Sequence, residues 1–141
     1  MSSIDLIIFI YIFMVLIAHV MGSLYGLLAV VFGAFGAHAL KKTLNEQQLK
    51  SFETGVKYQM YHAILLLVLG FNFNLETALE RYMIYCLIIG VFLFSFSIYG
   101  LSLSAAKGKK LRFLGPITPL GGLLLVTGWG LLLYSFIQNF L

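Results

Sequence analysis

Charged side chains are scarce in this sequence, and cysteine, proline and tryptophan are scarcer still. Charged residues make up 10% of 141, where a soluble domain carries roughly 25%. Helix surfaces so poor in charge must face something other than water. Lipid is the simplest answer, and a 61% hydrophobic composition with mean hydropathy +1.00 agrees with it. Cys86 is the only cysteine, which excludes an intramolecular disulfide and any thiolate metal cluster within one chain. Set in an apolar run, it reads as a small residue in a helix interface. The chain lacks a Pro-rich linker, tandem repeats and low-complexity stretches, and its length suits one domain, residues 1–141. It also lacks H-E-x-x-H, a Ser-His-Asp arrangement and a phosphate-cradling loop. Its 14 glycines punctuate helix faces and form no nucleotide motif.

The charges that are present are placed unevenly. The formal charge is +4, and eight of the nine Lys and Arg residues fall within residues 41–57 and 107–112, each beside an apolar run. A nucleic-acid partner would need a basic face on a soluble fold, and none is available. Juxtamembrane loops facing anionic lipid headgroups have this pattern. Only Arg81 lies in the opposite loop, so the basic loops are expected on the cytoplasmic side of a bacterial plasma (inner) membrane.

Four apolar stretches approach or exceed the ~20 residues that cross a bilayer. They are residues 6–37, 56–73, 82–102 and 119–140. The first is too long: 32 residues without a charge make about 48 Å of helix, where the hydrocarbon core needs ~30 Å. It either protrudes, breaks near Met21-Gly22-Ser23, or carries residues 1–21 as an extension. A cleaved signal peptide is not expected, because the segment has Asp5, no basic residue and no A-x-A site. Thr43 and Glu46 have capping-box spacing, and Asn45 is an alternative N-cap. Leu49, Phe52 and Val56 then follow at helical spacing, so a short amphipathic interfacial helix is expected, bending near Gly55 into the second span. Thr118 followed by Pro119 reads as the start of the last helix. The expected fold is all-α, a polytopic four-helix membrane bundle.

Small residues recur on helix faces. Gly22, Gly26, Ala29, Gly33 and Gly36 follow steps of four and three, and Cys86, Gly90, Ser97, Gly100 and Ser104 keep a similar rhythm. Such seams let backbones approach inside the membrane. They serve packing within the chain or contact in a homo-oligomer.

Ionisable groups inside spans are the candidates for chemistry. His38 ends the first span and His62 lies about two turns into the second. Glu53, Tyr58 and Gln59 crowd the same entry region, with Tyr58 one turn before His62. A single loop joins the two spans, so both histidines are expected near one membrane face. The cluster either ties the loop to the bundle, relays protons or ions, or binds a divalent metal. No cofactor and no metal is assigned from the sequence.

Three motifs carry a resemblance. GAFGAHALK (residues 33–41), FETGVKYQMYHAILLL (52–67) and LGPITPLGG (114–122) stand in the order found in a family of unknown function, domain family 423, with its transmembrane-protein-256-like members. The resemblance covers roughly residues 22–140. It implies a four-helix membrane protein, bacterial or mitochondrial, and assigns no reaction. Family members begin close to Met21, so His19 inherits no role. The functional expectation is a non-enzymatic accessory, assembly or scaffold component, alone, as a homo-oligomer or in a larger membrane complex. The alternative is a small oligomeric transporter or channel for protons, cations or a small solute, using His38, His62 and Glu53.

Overall fold

The computed structural model describes residues 3–109 and 111–140. Four long helices make up the fold: α1 (Ser3–His38), α2 (Glu46–Asn72), α3 (Ala78–Ala106) and α4 (Ile117–Phe140). The uncharged first stretch forms one unbroken helix, with no interruption at residues 21–23. Its N-terminal turns protrude beyond the packed region, where Ile4, Ile8, Phe9 and Ile12 are at least half exposed. Packing begins at the half-buried Ile10, and Met14 and Ala18 are the first fully buried side chains.

A short 3-10 turn, Leu40–Lys42, follows α1. The capping box that starts α2 is built on Asn45. The Gln48 N–H donates to Asn45 Oδ1, and the Asn45 N–H donates to Gln48 Oε1, both at 2.9 Å. Thr43 instead donates its hydroxyl to the Leu40 carbonyl. The separate interfacial helix does not form. Its amphipathic residues are the first turns of α2, which runs through Gly55 without a break. Gly55 answers to packing: a Cβ there would lie 2.7 Å from the Tyr99 ring.

The glycine seam of α1 faces α2, antiparallel. Gly22 meets Ala63 and Leu67, Gly26 meets Ala63, Gly33 meets Val56 and Gly36 meets Phe52. Ala29, on the same face, is 1% exposed. The tightest approach is at Gly22, where a Cβ would come within 3.0 Å of the Ala63 carbonyl oxygen.

Between α2 and α3 the chain turns through Leu75. This residue has φ +55° yet is fully buried, so its side chain plugs the bundle end at the expense of backbone strain. A second capping box, Thr77 with Glu80, starts α3. Midway along, residues Phe92–Phe96 form a π-helical turn. This is an inserted residue that shifts the helix face, and α4 packs against it. Gly121 lies so close that a Cβ would run into the backbone nitrogen of Phe94. The last helix starts at Ile117, just ahead of Thr118. Thr118 therefore bonds sideways, its hydroxyl 2.7 Å from that of Ser97.

By length and composition α1, α3 and α4 are apolar enough to cross a membrane. Their outer faces carry exposed Leu, Ile, Val and Phe, such as Leu123, Val126 and Leu133 on α4. α2 is less apolar, because its first turns are polar and charged from Glu46 to Lys57 and because it holds Gln59 and His62, both turned inward, 0% and 5% exposed.

Candidate functional site: a buried polar seam

The inward polar residues of α2 bond to every other helix. Gln59 donates from Nε2 to the Tyr25 carbonyl of α1 at 2.9 Å. Its Oε1 accepts the Tyr99 hydroxyl of α3 at 2.8 Å. Tyr25 in turn donates its hydroxyl to the Ile88 carbonyl, 2.8 Å away, one turn before the π turn. Inside that turn, fully buried Ser95 donates to the Gly55 carbonyl at 2.9 Å. Tyr99 is held by rings, its centroid 4.7 Å from Phe52, 5.0 Å from Phe32 and 5.6 Å from Phe96.

One turn further along α2, His62 uses both nitrogens. A carbonyl only accepts, so Nδ1 donates to the Tyr58 carbonyl at 2.7 Å. Indole only donates, so Nε2 accepts from Trp129 Nε1 of α4 at 3.2 Å. The two bonds together define one neutral tautomer. The Tyr58 ring lies 6.1 Å from the imidazole and 4.9 Å from the Phe94 ring, at the edge of the bundle.

His38 and Glu53 do not join this cluster. Both are exposed at the basic end. Because Gly22 and Gly26 stand against Ala63, His62 is level with the middle of α1. His38 is more than ten residues further on, about 20 Å along the axis. The loop does return the chain to the face where α1 ends, but α2 starts at Glu46 and His62 lies more than four turns along it, so His62 is carried deep into the bundle. Among the described residues, no three His, Cys, Asp or Glu side chains gather as a metal site.

Sequence reasoning missed Tyr25, Ser95, Tyr99 and Trp129. The signal was available for two of them, Tyr25 and Trp129: a tyrosine or tryptophan far from a span's ends has a polar tip that must find a partner in apolar surroundings. Ser95 depends on the π turn, which no pattern in the sequence announces. His19, outside the seam, is packed over Gly70 and against the Phe71 ring at 4.4 Å. Its Nε2 is buried without a hydrogen bond among the described residues.

A helical bundle with lipid-compatible outer faces and a polar seam closed on itself defines a polytopic integral membrane protein. Residues 32–122 match the family described as protein of unknown function (DUF423), and the chain belongs to it. It is 37% identical over 116 residues to a UPF0382 membrane protein of Staphylococcus haemolyticus, covering 82% of this chain and 91% of that one. A UPF0382 membrane protein of Schizosaccharomyces pombe is 41% identical over 113 residues, 79% and 93% of the two chains. The Bacillus subtilis protein YwdK, of the same description, is 34% identical over 121 residues, 84% and 94%. No solved structure matches. Each of the three resembling motifs contributes to the packed interfaces. Gly36 meets Phe52, Gly55 receives Ser95 and Tyr99, and Thr118 and Gly121 rest on the π turn.

Proposed function

We propose that this chain is a non-enzymatic structural component of its membrane, an accessory, assembly or scaffold subunit. The observation that carries the reading is the closure of the seam. Gln59 is bonded at both ends and His62 at both nitrogens, all to groups of the same chain. Side chains so engaged hold helices in register and offer no free group to a substrate. The exposed His38 and Glu53, the residues of the transporter alternative, lie outside that seam, His38 about 20 Å along the axis from His62 and Glu53 on the exposed side of α2.

The reading sets the protein in a bacterial plasma (inner) membrane with the basic segments at 41–57 and 107–112 on the cytoplasmic side, on the charge bias of eight basic residues against one. It includes association with a further membrane protein or a second copy through the outer helix faces. Co-purification from native membranes in mild detergent tests it. The expected result is a stoichiometric larger partner, together with proteoliposomes that stay tight to protons and potassium. A lone oligomer that conducts either ion would replace this reading with the transporter.

A further inference from the structure

At the basic end, α2 and α3 diverge and leave a groove of about 490 Å³. One wall is the outer face of the first turns of α2, Gln47, Gln48, Ser51 and Thr54. The facing wall is α3, with Ile98, Leu101 and Ala105 apolar and Ser102 polar, and Gly115 and Thr118 close the floor. We propose that this groove seats the headgroup of an anionic glycerophospholipid of the leaflet on the basic side, phosphatidylglycerol in character.

The hydrogen-bonding inventory of the walls selects that chemistry. Ser102 is 5% exposed, and its hydroxyl has no partner among the described residues. It lines the groove as a free donor. The Gln48 carbonyl oxygen is used by the capping box, which leaves its NH₂ end, and the Gln47 amide is unengaged. Three donors on two walls suit the several acceptor oxygens of a phosphate diester. Ser51 and Thr54 are the complement. Their hydroxyls already donate to the Gln47 and Lys50 carbonyls, so towards the groove they offer lone pairs, which suit the hydroxyls of a glycerol headgroup. Thr118 lies in the first turn of α4, where its backbone N–H has no intrahelical acceptor, while the Gly115 N–H is already given to the Arg112 carbonyl.

Charge agrees. Lys50 adjoins Ser51 in the sequence, and Lys107 and Lys109 follow closely on Ala105. The basic end carries eight Lys and Arg against Glu46 and Glu53. The apolar stripe of Ile98 and Leu101 leads from the polar mouth towards the membrane interior, as a lipid with its acyl chains in the bilayer requires. This inference stands apart from the scaffold reading, since a transporter of the same fold would hold the same lipid.

Native mass spectrometry of the protein from mixed micelles of phosphatidylglycerol and phosphatidylcholine tests it. The wild type is expected to retain one phosphatidylglycerol per chain in preference to phosphatidylcholine. Ala105→Phe, which fills the groove from an exposed position, and Gln47→Leu should each weaken that retention by about tenfold. Both are read beside their lipid-free thermal midpoints, and Gln47→Leu stands alone if Ala105→Phe fails to fold. Equal retention of the two lipids, or full retention by the variants that fold, would overturn the proposal. So would inorganic phosphate raising the wild-type midpoint as much as short-chain phosphatidylglycerol, which would make the ligand a soluble anion.

Discussion

His62 sits where a neutral imidazole can satisfy a donor and an acceptor at once, and that balance predicts how substitutions behave. Glutamine also offers both, so His62→Gln should change stability by less than about 1 kcal/mol, whereas His62→Leu strands the Trp129 N–H and should cost about 1–2 kcal/mol. A double-mutant cycle with Trp129→Phe, followed by SDS titration of the purified protein, should return a coupling of about 0.6–1.7 kcal/mol. Additive single effects would mean that the 3.2 Å contact contributes nothing. Leu75 poses the opposite case, a strained residue kept for its side chain. Leu75→Ala loses the buried plug and keeps the strain, for about 2–4 kcal/mol. Leu75→Gly loses the same plug but relaxes φ +55°, so it should be less damaging than alanine by about 1 kcal/mol. The usual order, with glycine worse, would show the backbone there to be unstrained. At this scale the sequence was a partial guide. It picked out Gln59 and His62 because polar groups inside an apolar run are conspicuous. It could not pair them with Tyr25, Tyr99 and Trp129, because those partners lie 34, 40 and 67 positions away.

Among the elements, α3 is the one whose shape depends on its neighbours. The π turn at Phe92–Phe96 brings Ser95 to α2 and opens the backbone of Leu93 and Phe94 to Gly121 of α4. A methyl at Gly121 would meet backbone, which cannot rotate away. Gly121→Ala should therefore destabilise by about 1–3 kcal/mol, while Gly130→Ala, with nothing within 4 Å, should be neutral or slightly stabilising. Thermal melts in detergent compare the two directly. The α1 seam grades in the same way. A Cβ at Gly33 would make ordinary contact with Val56 at 3.5 Å, so alanine fits there and leucine overpacks, and Gly33→Leu should lower the midpoint where Gly33→Ala does not. Helix existence and order were legible from apolar runs and caps. The π turn was not, since a five-residue change of pitch leaves hydrophobicity untouched. The expected interfacial helix failed for a related reason: amphipathic spacing at residues 49–56 is the same whether the apolar side faces lipid headgroups or, as here, packs Phe52 against α1 and Tyr99.

For the molecule as a whole, the basic segments share one end and the Leu75 turn occupies the other. In a Cys86→Ala background, an impermeant thiol reagent added outside intact cells should label a cysteine at position 76 and spare one at 108. Labelling of 108 alone would invert the orientation. The bundle was readable from composition because lipid leaves its mark on every outer face. What the seam does was not, because hydrogen bonds that close inside a chain and those that await a ligand use the same residues.

The closure of that seam also has an order in time. As the ribosome releases the chain, α1 and α2 can enter the bilayer as a hairpin, with Gln59 Nε2 already bonded to the Tyr25 carbonyl. Its Oε1 has no partner until Tyr99 emerges with α3, and His62 Nε2 has none until Trp129 arrives with α4. The least apolar helix is thus completed from behind, by segments synthesised later. A chain ended at residue 112 should leave α2 poorly inserted and open to membrane proteases, and supplying residues 113–141 as a separate polypeptide should restore it.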